Sequence, residues 1–166
     1  MSSAVFTTRD ARGFYPERQV PQEGFFDRML TGLRGRGLRL GIASNAPFPP
    51  AMLHRQLRVN GIEAAVDVAV FSSEVGRRKP APELYLAALG RLGVAAAETL
   101  HVGDRLLEDY EGPRRLGMEA VLCTALAREA PPDGVPTIDR LGDLLRFPFG
   151  PREIRGSRGV GGGRVS

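Results

Sequence analysis

Tryptophan is absent from this chain, cysteine occurs once and histidine twice. The single Cys123 excludes an internal disulfide, and with only His54 and His101 to join it the ligands of a structural zinc site are lacking. Long apolar runs are missing too: nothing approaches the roughly 20 residues that a membrane-spanning helix requires. The N-terminal segment has no basic stretch followed by an apolar one, so a cytoplasmic location is the expectation. Lysine is scarcest among the charged residues. Of 23 lysines and arginines, Lys79 is the only lysine. An ammonium is a compact point charge and a guanidinium a rigid fork, so a solitary lysine in an arginine-rich chain marks a place where the point charge matters.

What is present fits one soluble domain. The chain has 166 residues, 42% of them hydrophobic, enough for a single core. A net charge of +4 could suggest nucleic acid. The arginines, however, are spread among 19 acidic residues, and this interspersion points away from such a partner. Only residues 150–166 cluster basic charge, with Arg152, Arg155, Arg158 and Arg164 among glycines and little that is apolar. That tail is expected to be disordered.

Strand-like and helix-like patterns alternate along the rest. Helical spacing of Phe25, Phe26, Met29, Leu30 and Leu33 predicts a helix over 22–36. A strand follows over 38–43, then a helix over 50–59 with Met52, Leu53 and Leu57 facing inward. A short strand over 65–71, a helix over 82–92 and a strand over 99–102 come next. A helix over 108–116, a strand over 120–123 and a short helix over 139–145 complete the series. Repeated βα units argue for a parallel sheet with right-handed crossovers.

Chemistry-bearing residues gather at the ends of these strands. Ser44 and Asn45 follow the first, Asp104 follows the strand over 99–102, and Lys79 lies in the loop between. In open α/β sheets ligands bind at the carboxyl ends of the strands. Ser44 and nearby backbone N–H groups can hold phosphate oxygens, Lys79 can neutralise their charge, and Asp104 with Asp109 can hold Mg²⁺ through oxygen ligands. Each also has a plainer reading. Ser44, Asn45 and Asp104 are good helix caps, and Glu108 and Asp109 are acids suited to a first helical turn. His101 reads as a strand residue packed near the sheet, Cys123 as a small core residue, and Glu74 as a partner for Arg77 or Arg78.

The ordered set decides between these readings. Ser44 in Ala-Ser-Asn, Lys79 in Arg-Lys-Pro-Ala-Pro, and Asp104 and Asp109 in Gly-Asp-Arg-Leu-Leu-Glu-Asp resemble the second, third and fourth motifs of the haloacid dehalogenase (HAD) superfamily, in its phosphatase-like branch. The resemblance covers roughly residues 14–145. It implies a Rossmannoid three-layer α/β/α core over 14–149, with Lys79 catalytic and, with Ser44 and Asn45, substrate-binding. It also implies Asp104 and Asp109 as metal ligands, Mg²⁺ as cofactor and a small phosphorylated metabolite as partner.

The family's first motif, a strand ending in Asp-x-Asp, occurs nowhere in this sequence. That motif supplies the carboxylate nucleophile. Two readings follow. In the favoured one, residues 1–13 are the remnant of a cap or linker, the catalytic Asp belongs upstream, and the sheet lacks its own central strand, leaving there a gap or a makeshift strand recruited from residues 3–8. In the other, Ala4-Val5-Phe6-Thr7-Thr8-Arg9-Asp10 is a degenerate first motif, with Thr8 at the nucleophile position and Asp10 at the acid/base. The expected function is Mg²⁺-dependent hydrolysis of small phosphate esters, impaired in this chain; the alternative is a non-catalytic HAD-fold binding or regulatory protein.

Overall fold

The structure, a computed structural model, describes residues 3–6, 25–127 and 129–149, with backbone alone for residues 3–6 and 25–27. Thr8, Asp10 and the tail over 150–166 therefore lie outside the described residues, as do most of residues 1–24. In chain order the regular elements are β1 (Ser3–Phe6), α1 (Phe25–Gly35), β2 (Arg39–Ser44), α2 (Pro50–Val59) and β3 (Val68–Phe71). After them come α3 (Ser72–Val75), α4 (Pro82–Leu92), β4 (Thr99–Gly103), α5 (Gly112–Arg115), β5 (Glu119–Cys123) and β6 (Thr137–Ile138). A wide π-type turn spans Leu106–Glu111, and a 3₁₀ segment covers Leu141–Arg146.

Among the described residues six strands run parallel in one sheet, in the order β3-β2-β1-β4-β5-β6. This corrects the expectation of a gap at the centre and matches its alternative, a strand recruited from residues 3–8. Residues Ser3–Phe6 fill the place between β2 and β4, Phe6 standing in register with Ile42 on one side and Val102 on the other. The physical reason is backbone satisfaction: without β1, both neighbours would present unpaired N–H and C=O groups in the middle of the sheet. The short apolar run Ala4-Val5-Phe6 has the composition of a central parallel strand. Four of the residues assigned to a cap or linker are thus sheet.

Alternation along the strands sends side chains to the two faces of the sheet. Leu40, Ile42, Leu100, Val102 and Val121 pack with Met29, Leu30 and Leu33 of α1, Leu53 and Leu57 of α2, and Leu144. On the opposite face Ala43 and Val70 meet Leu84, Ala88 and Leu92 of α4. Helices on both faces of a parallel sheet give the three-layer α/β/α core. Met52, expected to face inward, is instead 54% exposed. Leu53 and Leu57 share one helical face at a spacing of four, and Met52 lies about 100° away from Leu53 around the axis.

Between β4 and β5 the expected helix over 108–116 is divided: only Gly112–Arg115 is α-helical, and the turn before it is wider. Pro113 at the start of α5 has no N–H to give an earlier carbonyl, which favours a fresh helix start there. Glu74 lies in α3 and bonds His54 Nε2 at 3.3 Å and Arg91 at 2.9 Å, not Arg77 or Arg78.

Candidate active site

Parallel strands place their carboxyl ends along one edge, and β2 and β4 deliver Ser44 and Asp104 to it. Ser44 closes β2 and is buried. The loop beyond it is fastened by Ser72, whose Oγ accepts from the Ala46 N–H at 3.0 Å and donates to the Ala46 carbonyl at 3.2 Å. Next to Ser44, Asn45 makes a second two-point clasp. Its Oδ1 accepts from the Lys79 N–H at 2.7 Å and its Nδ2 donates to the Lys79 carbonyl at 3.1 Å. The Asn45 side chain therefore grips the backbone of the lysine loop, locking it to the end of β2.

Held in this way, Lys79 sends its ammonium inward. Nζ donates to Asp109 Oδ1 at 2.7 Å, with the two side chains 4% and 2% exposed. A buried pair of this kind stands only if the remaining lone pairs are also satisfied. Asp109 meets that condition: its Oδ2 accepts from the backbone N–H groups of Asp104 and Arg105, each at 3.1 Å, and its Oδ1 lies 3.3 Å from His101 Nε2. Burial alone would push the Asp109 carboxyl up; the Lys79 charge and then the His101 hydrogen bond outweigh it and hold the group well below the usual carboxylate range.

The close approach of Asp109 to the sheet depends on Gly103. A Cβ at that position would fall on the Asp109 carboxyl group. Strand parity puts His101 on the same face as Gly103, beneath the same carboxylate. His101 is fully buried and meets the Tyr85 ring edge-on, with centroids 5.6 Å apart. Burial holds its ring below the usual histidine range, against the opposing pull of the Asp109 hydrogen bond. Tyr85 in turn donates its hydroxyl to the Glu108 carbonyl within the π-type turn, and burial followed by the charges of Asp109 and Glu108 keeps that hydroxyl protonated.

The sequence-predicted residues thus form one connected set: Ser44 adjoins Asn45, Asn45 grips Lys79, Lys79 bonds Asp109, and Asp109 accepts from the Asp104 backbone. Asp104 itself is half-buried on a cavity of about 500 Å³ shared with Arg105, Leu107, Glu108, Glu129 and Pro132. Among the described residues no cluster of three or more His, Cys, Asp or Glu is arranged for a metal ion. Asp104 carries carboxylate oxygens of the hard kind that Mg²⁺ takes, and both Asp109 oxygens are engaged within the protein. Ser72, His101 and Tyr85 were not legible as site residues. His101 was read only as a strand residue packed near the sheet; the signal that could have marked it is its shared parity with Gly103 on β4. Cys123 lies at the end of β5 in the core, and burial pushes its thiol up to about 11, away from nucleophilic use.

The family model described as haloacid dehalogenase-like hydrolase matches residues 4–117, beginning inside β1. A phosphoserine phosphatase from Thermus thermophilus is 32% identical over 144 residues, 87% of this chain and 53% of that protein. A glyceraldehyde 3-phosphate phosphatase from Methanopyrus kandleri is 36% identical over 92 residues, 55% of this chain and 39% of the relative. Among solved structures, a HAD phosphatase from Thermococcus onnurineus superposes with a TM-score of 0.66 at 28% identity, over 77% of this chain and 57% of its own. The chain thus spans about half the length, or less, of the curated relatives it matches.

Proposed function

The chain belongs to the haloacid dehalogenase-like hydrolases, and from that premise we propose that its chemistry is the Mg²⁺-dependent hydrolysis of small phosphate monoesters. The observation that carries this reading is the buried Lys79 ammonium, moored on Asp109 and clasped by Asn45 at the carboxyl edge of a parallel sheet. The bond to Asp109 uses one of three ammonium N–H donors, so the charge is fixed in place while donors remain for an anion. Ser44 and the backbone N–H groups of the loop after it supply further donors, a preorganised electrostatic cradle for charge on phosphoryl oxygens. Asp104 would hold Mg²⁺, which when bound contributes Lewis-acid stabilisation of those oxygens. Asp109 serves this site as the anchor of Lys79. Phosphatases among the relatives act on compact phosphorylated metabolites by their names, and such esters are the substrate class proposed here.

Turnover by this chain is proposed to be impaired, because its sequence holds no Asp-x-Asp to supply the attacking carboxylate. The alternative, a non-catalytic HAD-fold protein that binds phosphorylated ligands or regulates, draws on the same observation. A degenerate first motif, with Thr8 at the nucleophile position and Asp10 at the acid/base, would be the other source of an attacking group.

An aryl phosphate assay with Mg²⁺ tests the proposal. The full chain is expected to turn over no faster than its Lys79→Ala variant. Robust turnover abolished by Lys79→Ala and Asp104→Asn would show that the chain is not impaired. If that turnover also vanished in Thr8→Ala, Thr8 would stand as the attacking group.

A further inference from the structure

One buried group beneath the site has no part in the reading above. His101 is 0% exposed, yet one of its ring nitrogens faces a carboxylate. We propose that His101 is a positioning residue: as a neutral ring in the Nε2–H tautomer, it donates to the Asp109 oxygen that receives Lys79 and so fixes where the ammonium sits. The inference rests on the phosphoryl-site reading only for its purpose, since the geometry stands without it.

Four observations carry it. First, an ionised carboxylate can only accept, so the nitrogen 3.3 Å from Asp109 Oδ1 must carry the hydrogen. Second, Nδ1 is buried and has no hydrogen-bond partner among the described residues. A proton there would be an unpaired buried donor beside the Lys79 charge, and this geometry assigns a neutral ring with its hydrogen on Nε2. Third, Asp109 Oδ1 receives both Nε2–H and Lys79 Nζ, while the two backbone N–H groups take Oδ2. Rotation of the carboxylate would break several bonds at once, and His101 completes that set. Fourth, the ring cannot swing away: Tyr85 packs edge-on against it, and the Tyr85 hydroxyl is tied to Glu108. Gly112 leaves the room for that hydroxyl, because a Cβ there would overlap it.

Packing alone would make a different claim. A purely structural His101 would be replaced without loss by an aromatic ring lacking the donor. Since Lys79 is the only lysine, lysine-selective ¹⁵N labelling of the full chain yields a single side-chain Nζ signal. The wild-type signal is expected to be sharp, with slowly exchanging ammonium protons. In His101→Phe, with the fold verified by circular dichroism, the signal should shift and its protons exchange about tenfold faster, the scale of one hydrogen bond to a charged group. His101→Gln, whose amide N–H can reach the Nε2 position, should restore the wild-type signal. An unchanged signal in His101→Phe would overturn the proposal, as would a folded His101→Gln that behaves like His101→Phe.

If His101→Phe does not fold, ¹⁵N-histidine spectra of the wild type decide. A protonated Nδ1 at His101, assigned with His54→Gln, would refute the tautomer and with it the proposal. Inorganic phosphate titrated into the lysine-labelled sample separates the two readings. An Nζ signal indifferent to phosphate and Mg²⁺ counts against the hydrolytic site and leaves the His101 result standing.

Discussion

A lone lysine was readable because the rest of the chain avoids the residue, but its partner was not. Lys79 and Asp109 are 30 positions apart, and nothing in their spacing says that the loop after α3 folds onto the π-type turn after β4. Asp109 was assigned to metal on motif position; the structure engages both of its oxygens inside the protein. Removing one partner of such a pair leaves the other charge buried and uncompensated. Lys79→Ala is therefore expected to destabilise by about 3–5 kcal/mol. Thermal melting checks this, at roughly 2–4 °C per kcal/mol for a chain of this size. The pH response has a definite sign. Both Asp109 and His101 have folded-state values below their ordinary ones, so the unfolded chain binds the extra protons. Stability should be fully present above the ordinary histidine value of 6.5 and fall as pH drops below it, with a further loss below 3.8 as Asp109 is protonated. Denaturant titrations at stepped pH measure the slope. His101→Gln should flatten the upper part and leave the lower.

Among the elements, those with a strong period were legible within a few residues, and the strand that matters most was legible only as one of two alternatives for the centre of the sheet. Helices α2 and α4 begin at proline and present clean apolar faces, so local pattern and packing agree. Strand β1 is four residues long and carries no acidic motif at its end, and its place is dictated by the open edges of β2 and β4. That is a tertiary demand, invisible to a local window. The same holds for the π-type turn, whose width follows from Asp109 bonding back to the backbone and Tyr85 bonding Glu108. Two substitutions test these placements. Val5→Pro removes a backbone donor from the middle of the sheet and should abolish soluble, folded protein, whereas proline at an edge would be tolerated. Gly103→Ala should cost roughly 1–3 kcal/mol, since the added methyl meets the Asp109 carboxyl group and not a flexible tip. Urea unfolding midpoints report the second.

For the molecule as a whole, the layering and the connected site were legible from motif order, because βα alternation leaves few topologies. Substrate identity was not, since the described residues show one cavity wall beside Asp104 and the chain spans about half of its phosphoserine phosphatase relative. With no first-motif Asp in the sequence and both Asp109 oxygens engaged within the protein, Mg²⁺ affinity without phosphate should be only about millimolar. Calorimetry finding micromolar binding lost in Asp104→Asn would mean that another carboxylate completes the site. The most direct test of the account is the calorimetric titration of inorganic phosphate in excess Mg²⁺ into the full chain, Lys79→Met and Asp104→Asn, each first shown to be folded. The account predicts binding by the wild type that weakens at least about tenfold in both variants, the scale of one lost charge-assisted contact. Equal affinity in all three proteins, or no binding by a folded wild type, would contradict it.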